Sequence, residues 1–158
     1  MNPKIIVINT EKCSKCYDCI NICREIHGVE RIRKFEGIPI FCMQCEKAPC
    51  RDICPVDAIY LKDNIPIVDR EICIGCGMCV IACPIGAIFI KDGVAHKCTL
   101  CYDTERLTPA CIEACKDKAL VLVTEEILNL TKDEKIKKII NYLKETEKKD
   151  KRKLKVNK

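Results

Sequence analysis

The chain has 158 residues, a formal net charge of +5 and 16 cysteines, with aromatic residues at only 4%. That length allows one compact domain or two very small ones, and an ordinary aliphatic content with so few aromatics points to a fold that leans on more than its apolar core. Cysteine at roughly a tenth of the residues would suggest a disulfide scaffold in a secreted chain, but the opening Met-Asn-Pro-Lys-Ile-Ile-Val-Ile has too short an apolar run for a secretory signal. No stretch is long and apolar enough to span a bilayer. The expectation is a cytoplasmic chain without membrane contact, whose cysteines are metal ligands rather than disulfides.

Taken in order, Ile5 to Ile8 reads as a short strand and leads to Cys13, Cys16, Cys19 and Cys23. Three thiols stand at two-residue gaps, the fourth follows after three more, and Arg24 comes next. Residues 24–37 are charged and contain His27, Gly28 and Gly37, which reads as a turn or short helix joining two lobes. Ile38-Pro39-Ile40-Phe41 then leads into Cys42, Cys45, Cys50 and Cys54, where Glu46 to Pro49 widens the second gap and Pro55 follows the last cysteine.

Ile65 to Val68 reads as the strand that feeds Cys73, Cys76, Cys79 and Cys83, with Pro84 after them. Gly75 and Gly77 suit a tight loop because they accept positive φ and let backbone N–H groups approach sulfur. Ala87 to Ile90 is expected as a strand and Lys91-Asp92-Gly93 as a turn. The fourth group is Cys98, Cys101, Cys111 and Cys115, with nine residues, Tyr102 to Ala110, in its second gap.

The unit repeats. Cys54-Pro-Val-Asp-Ala-Ile-Tyr-Leu61 matches Cys83-Pro-Ile-Gly-Ala-Ile-Phe-Ile90, and Cys115 to Leu122 keeps the alanine and aliphatic offsets. Val7-Ile-Asn-Thr-Glu-Lys-Cys13 mirrors Ile67-Val-Asp-Arg-Glu-Ile-Cys73. Each unit reads as strand, ligand loop, helical turn, strand. The last stretch has no cysteine. Thr131 to Glu134 gives a capping-box signal, and Ile136, Ile139, Ile140 and Leu143 then share one helical face. That helix would pack on its own lobe or dock a partner; the lysine-rich run from Glu145 reads as disordered.

Three closely spaced cysteines and a fourth starting a helical turn form the run that binds a [4Fe–4S] cluster: a tight loop sets three thiolates on one cubane while the fourth reaches another. Zinc sites come as two separated Cys-x-x-Cys pairs, which two of these groups are not. A radical enzyme using S-adenosylmethionine would want another spacing and a large barrel. His27 and His96 fall to solvated or supporting roles, because all four groups are already complete. With four clusters bound, the sixteen thiolates and the iron cores contribute about −8, so the charge becomes about −3 and the formal basicity gives no ground for nucleic-acid binding. Cluster assembly is expected to be coupled to folding.

The wording beyond the spacing resembles a known family. Cys42-Met-Gln-Cys-Glu-Lys-Ala-Pro-Cys50, Lys97-Cys-Thr-Leu-Cys-Tyr-Asp103 and Pro109-Ala-Cys-Ile-Glu-Ala-Cys115 are similar to the four-cluster electron-transfer subunits of molybdenum and tungsten oxidoreductases, hydrogenases and carbon monoxide dehydrogenases. The resemblance covers Ile5 to about Val123. It departs at Lys116, where a proline is usual, and it implies that this turn is looser.

The resemblance implies an α+β fold of two pseudo-symmetric bacterial-ferredoxin-like lobes, residues 1–34 with 91–123 and residues 35–90, followed by a C-terminal helix and tail over 124–158. It implies that Cys13, Cys16 and Cys19 share a cluster with Cys115, and Cys98, Cys101 and Cys111 with Cys23. Likewise Cys42, Cys45 and Cys50 would pair with Cys83, and Cys73, Cys76 and Cys79 with Cys54. The Cys98 and Cys73 clusters are expected inside, with the Cys13 and Cys42 clusters at the two ends. The expected function is a wire of four [4Fe–4S] clusters that catalyses nothing alone, since no nucleophile–base pair or phosphate loop appears. The expected partner is a catalytic subunit such as a hydrogenase, formate dehydrogenase, carbon monoxide dehydrogenase or 2-oxoacid oxidoreductase, with a soluble ferredoxin as a further partner. The alternative is a free polyferredoxin shuttle.

Overall fold

The computed structural model describes residues 3–104 and 106–124, together with seven positions between 134 and 144. The chain forms two compact units, residues 2–123 and residues 124–158 with Met1. In the second unit Glu134, Ile136, Lys137, Ile139, Ile140, Asn141 and Lys144 are helical, as the periodicity predicts. Thr131, Leu143 and the lysine-rich run from Glu145 lie outside the described residues.

The first unit is a mixed α+β fold of one repeated module. A strand enters each cysteine run, a helix leaves it, and a second strand closes it: β1 (Pro3–Ile8), α1 (Asp18–His27) and β2 (Arg33–Phe35); β3 (Ile38–Ile40), α2 (Pro49–Asp52) and β4 (Ile59–Lys62). The same order follows in β5 (Ile65–Val68), α3 (Met78–Ala82) and β6 (Phe89–Lys91), then in β7 (Val94–His96), α4 (Ala110–Ala114) and β8 (Leu120–Thr124). The strands pair as four two-stranded sheets, β1 with β8, β2 with β3, β4 with β5 and β6 with β7.

Turn chemistry sets three of those sheets. Ile59 to Lys62 pairs antiparallel with Ile65 to Val68, and the two residues between, Asp63 and Asn64, have φ of 50° and 64°. Two consecutive positive φ values match the right-handed twist of the flanking strands. Asp92 and Gly93 (52° and 77°) do the same between β6 and β7, and Glu36 and Gly37 (48° and 85°) between β2 and β3.

That last hairpin corrects an expectation. Residues 24–37, read as a turn or short helix, divide into the end of α1, a left-handed Gly28 at φ 72°, and the β2 strand with its turn. Helix α1 runs past Cys23 to His27, where Gly28 caps it, whereas Cys83, before Pro84, and Cys115, before Lys116, both take an extended ψ (114° and 98°) and end their helices. The strand expected over Ala87 to Ile90 begins two residues later, at Phe89.

Core and cysteines are one material here. The larger apolar cluster packs Ile6, Ile20, Ile32, Phe41, Ile65 and Leu120 around Cys23, Cys42, Cys98 and Cys111. The smaller one packs Ile59 and Ile88 around Cys50 and Cys79. Helix α1 lies against α4, and α2 against α3. Among the described residues no helix is long and apolar enough to cross a membrane.

Candidate metal centres

In two of the modules the cysteine loop opens on a side-chain turn just before its first cysteine. Asn9 and Asp69 occupy equivalent places after β1 and β5. Asn9 Oδ1 accepts the N–H groups of Glu11 (3.0 Å) and Lys12 (3.3 Å); Asp69 Oδ1 accepts those of Glu71 (2.9 Å) and Ile72 (3.4 Å). Both backbones also close the module, Asn9 N–H on the Ala119 carbonyl and Asp69 N–H on the Ala58 carbonyl, each at 2.7 Å. Side chains of this type favour such local turns over regular structure. Past the loop, Tyr17, Ala48 and Gly77 turn left-handed at the starts of α1, α2 and α3, two residues before Cys19, Cys50 and Cys79.

Three cavities gather thiols from different runs. Cys73, Cys76 and Cys79 line a small cavity with Cys54. Cys13, Cys16 and Cys19 line another with Cys115. Cys98, Cys101 and Cys111 line a third with Cys23. The remaining four also meet, since the thiol of Cys45 feels those of Cys42 and Cys83, and so does that of Cys50. Each grouping draws three thiols from one run and the fourth from another.

The fourth cysteine of each run is held by a backbone donor. The N–H groups of Ala58, Ala87 and Ala119 donate to the Sγ of Cys54, Cys83 and Cys115, each at 3.3 Å, and Arg31 N–H donates to Cys23 Sγ at 3.3 Å. The repeated alanine is therefore the donor four residues on. The looser turn expected at Lys116 is absent, because Cys115 keeps the same 3.3 Å bond as its proline-followed counterparts. Lys116 Nζ lies 2.9 Å from Asp18 Oδ2. Cys73 Sγ accepts from Ala95 N–H at 3.4 Å, Cys98 Sγ from Leu100 N–H at 3.4 Å, and His27 Nε2 stands 3.4 Å from Cys101 Sγ. Burial, followed by the charge of Arg31, holds the His27 imidazole down at about 4, so it is neutral near pH 7.

Electrostatically these sites call for positive charge. Burial pushes the thiols of Cys19, Cys23 and Cys50 up to about 11 and that of Cys98 to about 12. Burial and then the neighbouring thiols of Cys98, Cys101, Cys23 and Cys19 raise Cys111. Such thiols ionise when a cationic group takes up their charge, which an iron–sulfur core does. Among the described residues no group of three or more His, Cys, Asp or Glu closes on a single metal-ion position. Sets of four thiols around cavities, with N–H donors on the sulfurs, fit a larger inorganic core.

The expectation puts the Cys73 set beside the Cys98 set; the contacts found join the Cys42 set to it. Cys42 and Cys98 share one apolar cluster, Cys42 acts on the thiol of Cys98, and Gln44 Nε2 donates to the Cys98 carbonyl at 3.0 Å. Cys19 and Cys111 join the Cys13 set to the Cys98 set, while Cys50 and Cys79 pack together in the smaller cluster. Sequence reading left out Gln44, Lys97 and Arg31, all buried and polar. The available signal was their place inside the cysteine motifs, Gln44 between Cys42 and Cys45 and Lys97 just before Cys98.

Fold and thiol sets together define an iron–sulfur protein of electron transport. The 4Fe-4S dicluster domain matches residues 33–126, and the chain belongs to that family. An uncharacterised ferredoxin of Methanocaldococcus jannaschii is 73% identical over 145 residues, covering 92% of this chain and 96% of that protein. The formate dehydrogenase iron-sulfur subunit of Wolinella succinogenes is 33% identical over 168 residues, covering 80% of this chain and 84% of the subunit. The thiosulfate reductase electron transfer subunit PhsB of Salmonella typhi is 32% identical over 143 residues, covering 75% and 74%.

Proposed function

We propose that the chain is an electron-transfer subunit holding four [4Fe–4S] clusters in a row, between a catalytic oxidoreductase subunit and a second redox partner. The observation that carries this reading is the gathering of three thiols from one run with the fourth of another, around three cavities and among Cys42, Cys45, Cys50 and Cys83. On it, Cys13, Cys16, Cys19 and Cys115 hold one cluster, and Cys23, Cys98, Cys101 and Cys111 a second. Cys42, Cys45, Cys50 and Cys83 hold a third, and Cys54, Cys73, Cys76 and Cys79 a fourth. When bound, such a cluster stores one electron at a potential set by hydrogen bonds, charge and burial.

The residues of the chain supply position, insulation and access. Contacts between the sets support the order Cys73, Cys42, Cys98, Cys13, with the residue 35–90 lobe holding the first two and residues 1–34 with 91–123 the others. Access agrees with this order. Cys16 and Cys76, the two exposed cysteines, belong to the outer sets, while Cys42, Cys50, Cys98, Cys101, Cys111 and Cys23 of the inner sets are buried. In the same module as Cys76, Ile74 of the loop is 61% and Ile81 of α3 83% exposed. Exposed apolar side chains there suit docking of a catalytic subunit, and the relation to subunits of formate dehydrogenase and thiosulfate reductase supports such a partner.

A free polyferredoxin shuttle is the second reading, favoured by the likeness to a ferredoxin along almost its whole length. Size-exclusion of native extract separates the two. Co-elution with a large oxidoreductase, lost in an Ile74→Lys, Ile81→Glu variant that keeps its iron, supports the subunit. Elution at the mass of the chain alone supports the shuttle.

A further inference from the structure

Lys97 is 1% exposed, and its ammonium has as many acceptors as it has N–H donors: Gln44 Oε1 at 3.2 Å, the Cys98 carbonyl at 2.9 Å and the Pro66 carbonyl. All three are uncharged oxygens. Hydrogen bonding is complete, yet the charge itself has no carboxylate partner among the described residues. A buried cation in that position is unfavourable unless negative charge stands close by.

The surroundings name the source of that charge. Gln44, 2% exposed, sits between Cys42 and Cys45, and its Nε2 donates to the same Cys98 carbonyl that Lys97 uses. The amide is thereby fixed in orientation, oxygen to the ammonium and nitrogen to the carbonyl. Lys97 itself precedes Cys98. Its charge reaches Cys45 and Cys50 of one set and Cys98 of the next.

We propose that Lys97 is the shared counter-cation of the Cys42 and Cys98 sets, and that it raises the reduction potentials of the two inner clusters. This inference rests on the four-cluster reading. Reduction adds one electron to a cluster already made negative by four thiolates, and a nearby ammonium stabilises the more negative state. In a dry site that interaction is screened little. Gln44 positions the ammonium between the two sets and carries no charge of its own.

Two variants test it, with iron and sulfide content and a spectroscopically monitored redox titration as readouts. Lys97→Met removes the charge at similar length. Gln44→Glu leaves the shape and sets a carboxylate against the ammonium. Both are expected to keep their iron, while two of the four couples move to lower potential and the other two stay. For Lys97→Met the reduced-to-oxidised ratio of those two couples at a fixed ambient potential falls about tenfold, or about 59 mV for one electron. Unmoved couples in iron-loaded variants overturn the proposal and leave the four-cluster reading standing. An equal shift of all four couples also overturns it, because the charge would then act without regard to set. Loss of iron from both variants assigns Lys97 a purely structural role and overturns it too. Wild-type protein lacking iron and sulfide would instead remove the underlying reading.

Discussion

Gly75 lies against Gly93. A Cβ built on Gly75 would come within 2.2 Å of the Gly93 carbonyl oxygen, and its φ of +65° is already one that side chains resist. The Cys73 loop and the β6–β7 turn are thus packed backbone to backbone. Gly77, at φ +80°, has nothing within 4 Å of the same construction. Gly75→Ala is expected to lose the cluster of the Cys73 set, roughly a quarter of the iron on the four-cluster reading. Gly77→Ala meets only the left-handed backbone cost of about 1 kcal/mol and keeps its iron. Iron content of the two proteins checks this; equal loss in both contradicts the contact.

Asn9 and Asp69 do the same work in two modules, each holding two N–H groups at the entry to a cysteine loop. Replacing either by alanine removes these bonds in exposed positions, where each is worth about 1 kcal/mol. Thermal unfolding of the loaded protein under anaerobic conditions should show similar losses for Asn9→Ala and Asp69→Ala. A loss confined to one of them would mean that the two turns are not equivalent.

The order of the sets gives a sharper expectation. Cys76→Ser strikes an outer set, so a donor at the Cys13 end still reduces the other three clusters. Cys45→Ser strikes an inner set and separates the Cys73 cluster from that donor, leaving only the Cys98 and Cys13 clusters within its reach. Stoichiometric titration from that end, with the untouched clusters verified by iron content, measures the difference. Equal numbers of reducible clusters in the two variants would contradict the order.

How much of this was legible in the residues follows from where the determinants sit. The repeat of Val7 to Cys13 in Ile67 to Cys73 appears in the structure as matching turns and matching 2.7 Å closing bonds. Strand β5 was readable because Ile65 to Val68 is an apolar run before a cysteine loop. The hairpin after α1 was not, because its turn uses Glu36 at positive φ, which no local preference announces. The adjacency of the Cys42 and Cys98 sets was also hidden. It depends on Lys97 and Gln44, 53 positions apart, meeting in the interior, and on an apolar cluster shared by residues from every module. Spacing tells which thiols can reach one cubane; only packing tells which sets become neighbours.

The measurement that bears most directly on the central claim is the iron and acid-labile sulfide content of the anaerobically purified chain. Four complete thiol sets predict about sixteen of each per chain, in a brown protein. A fully folded chain that carries zinc and no sulfide would contradict it.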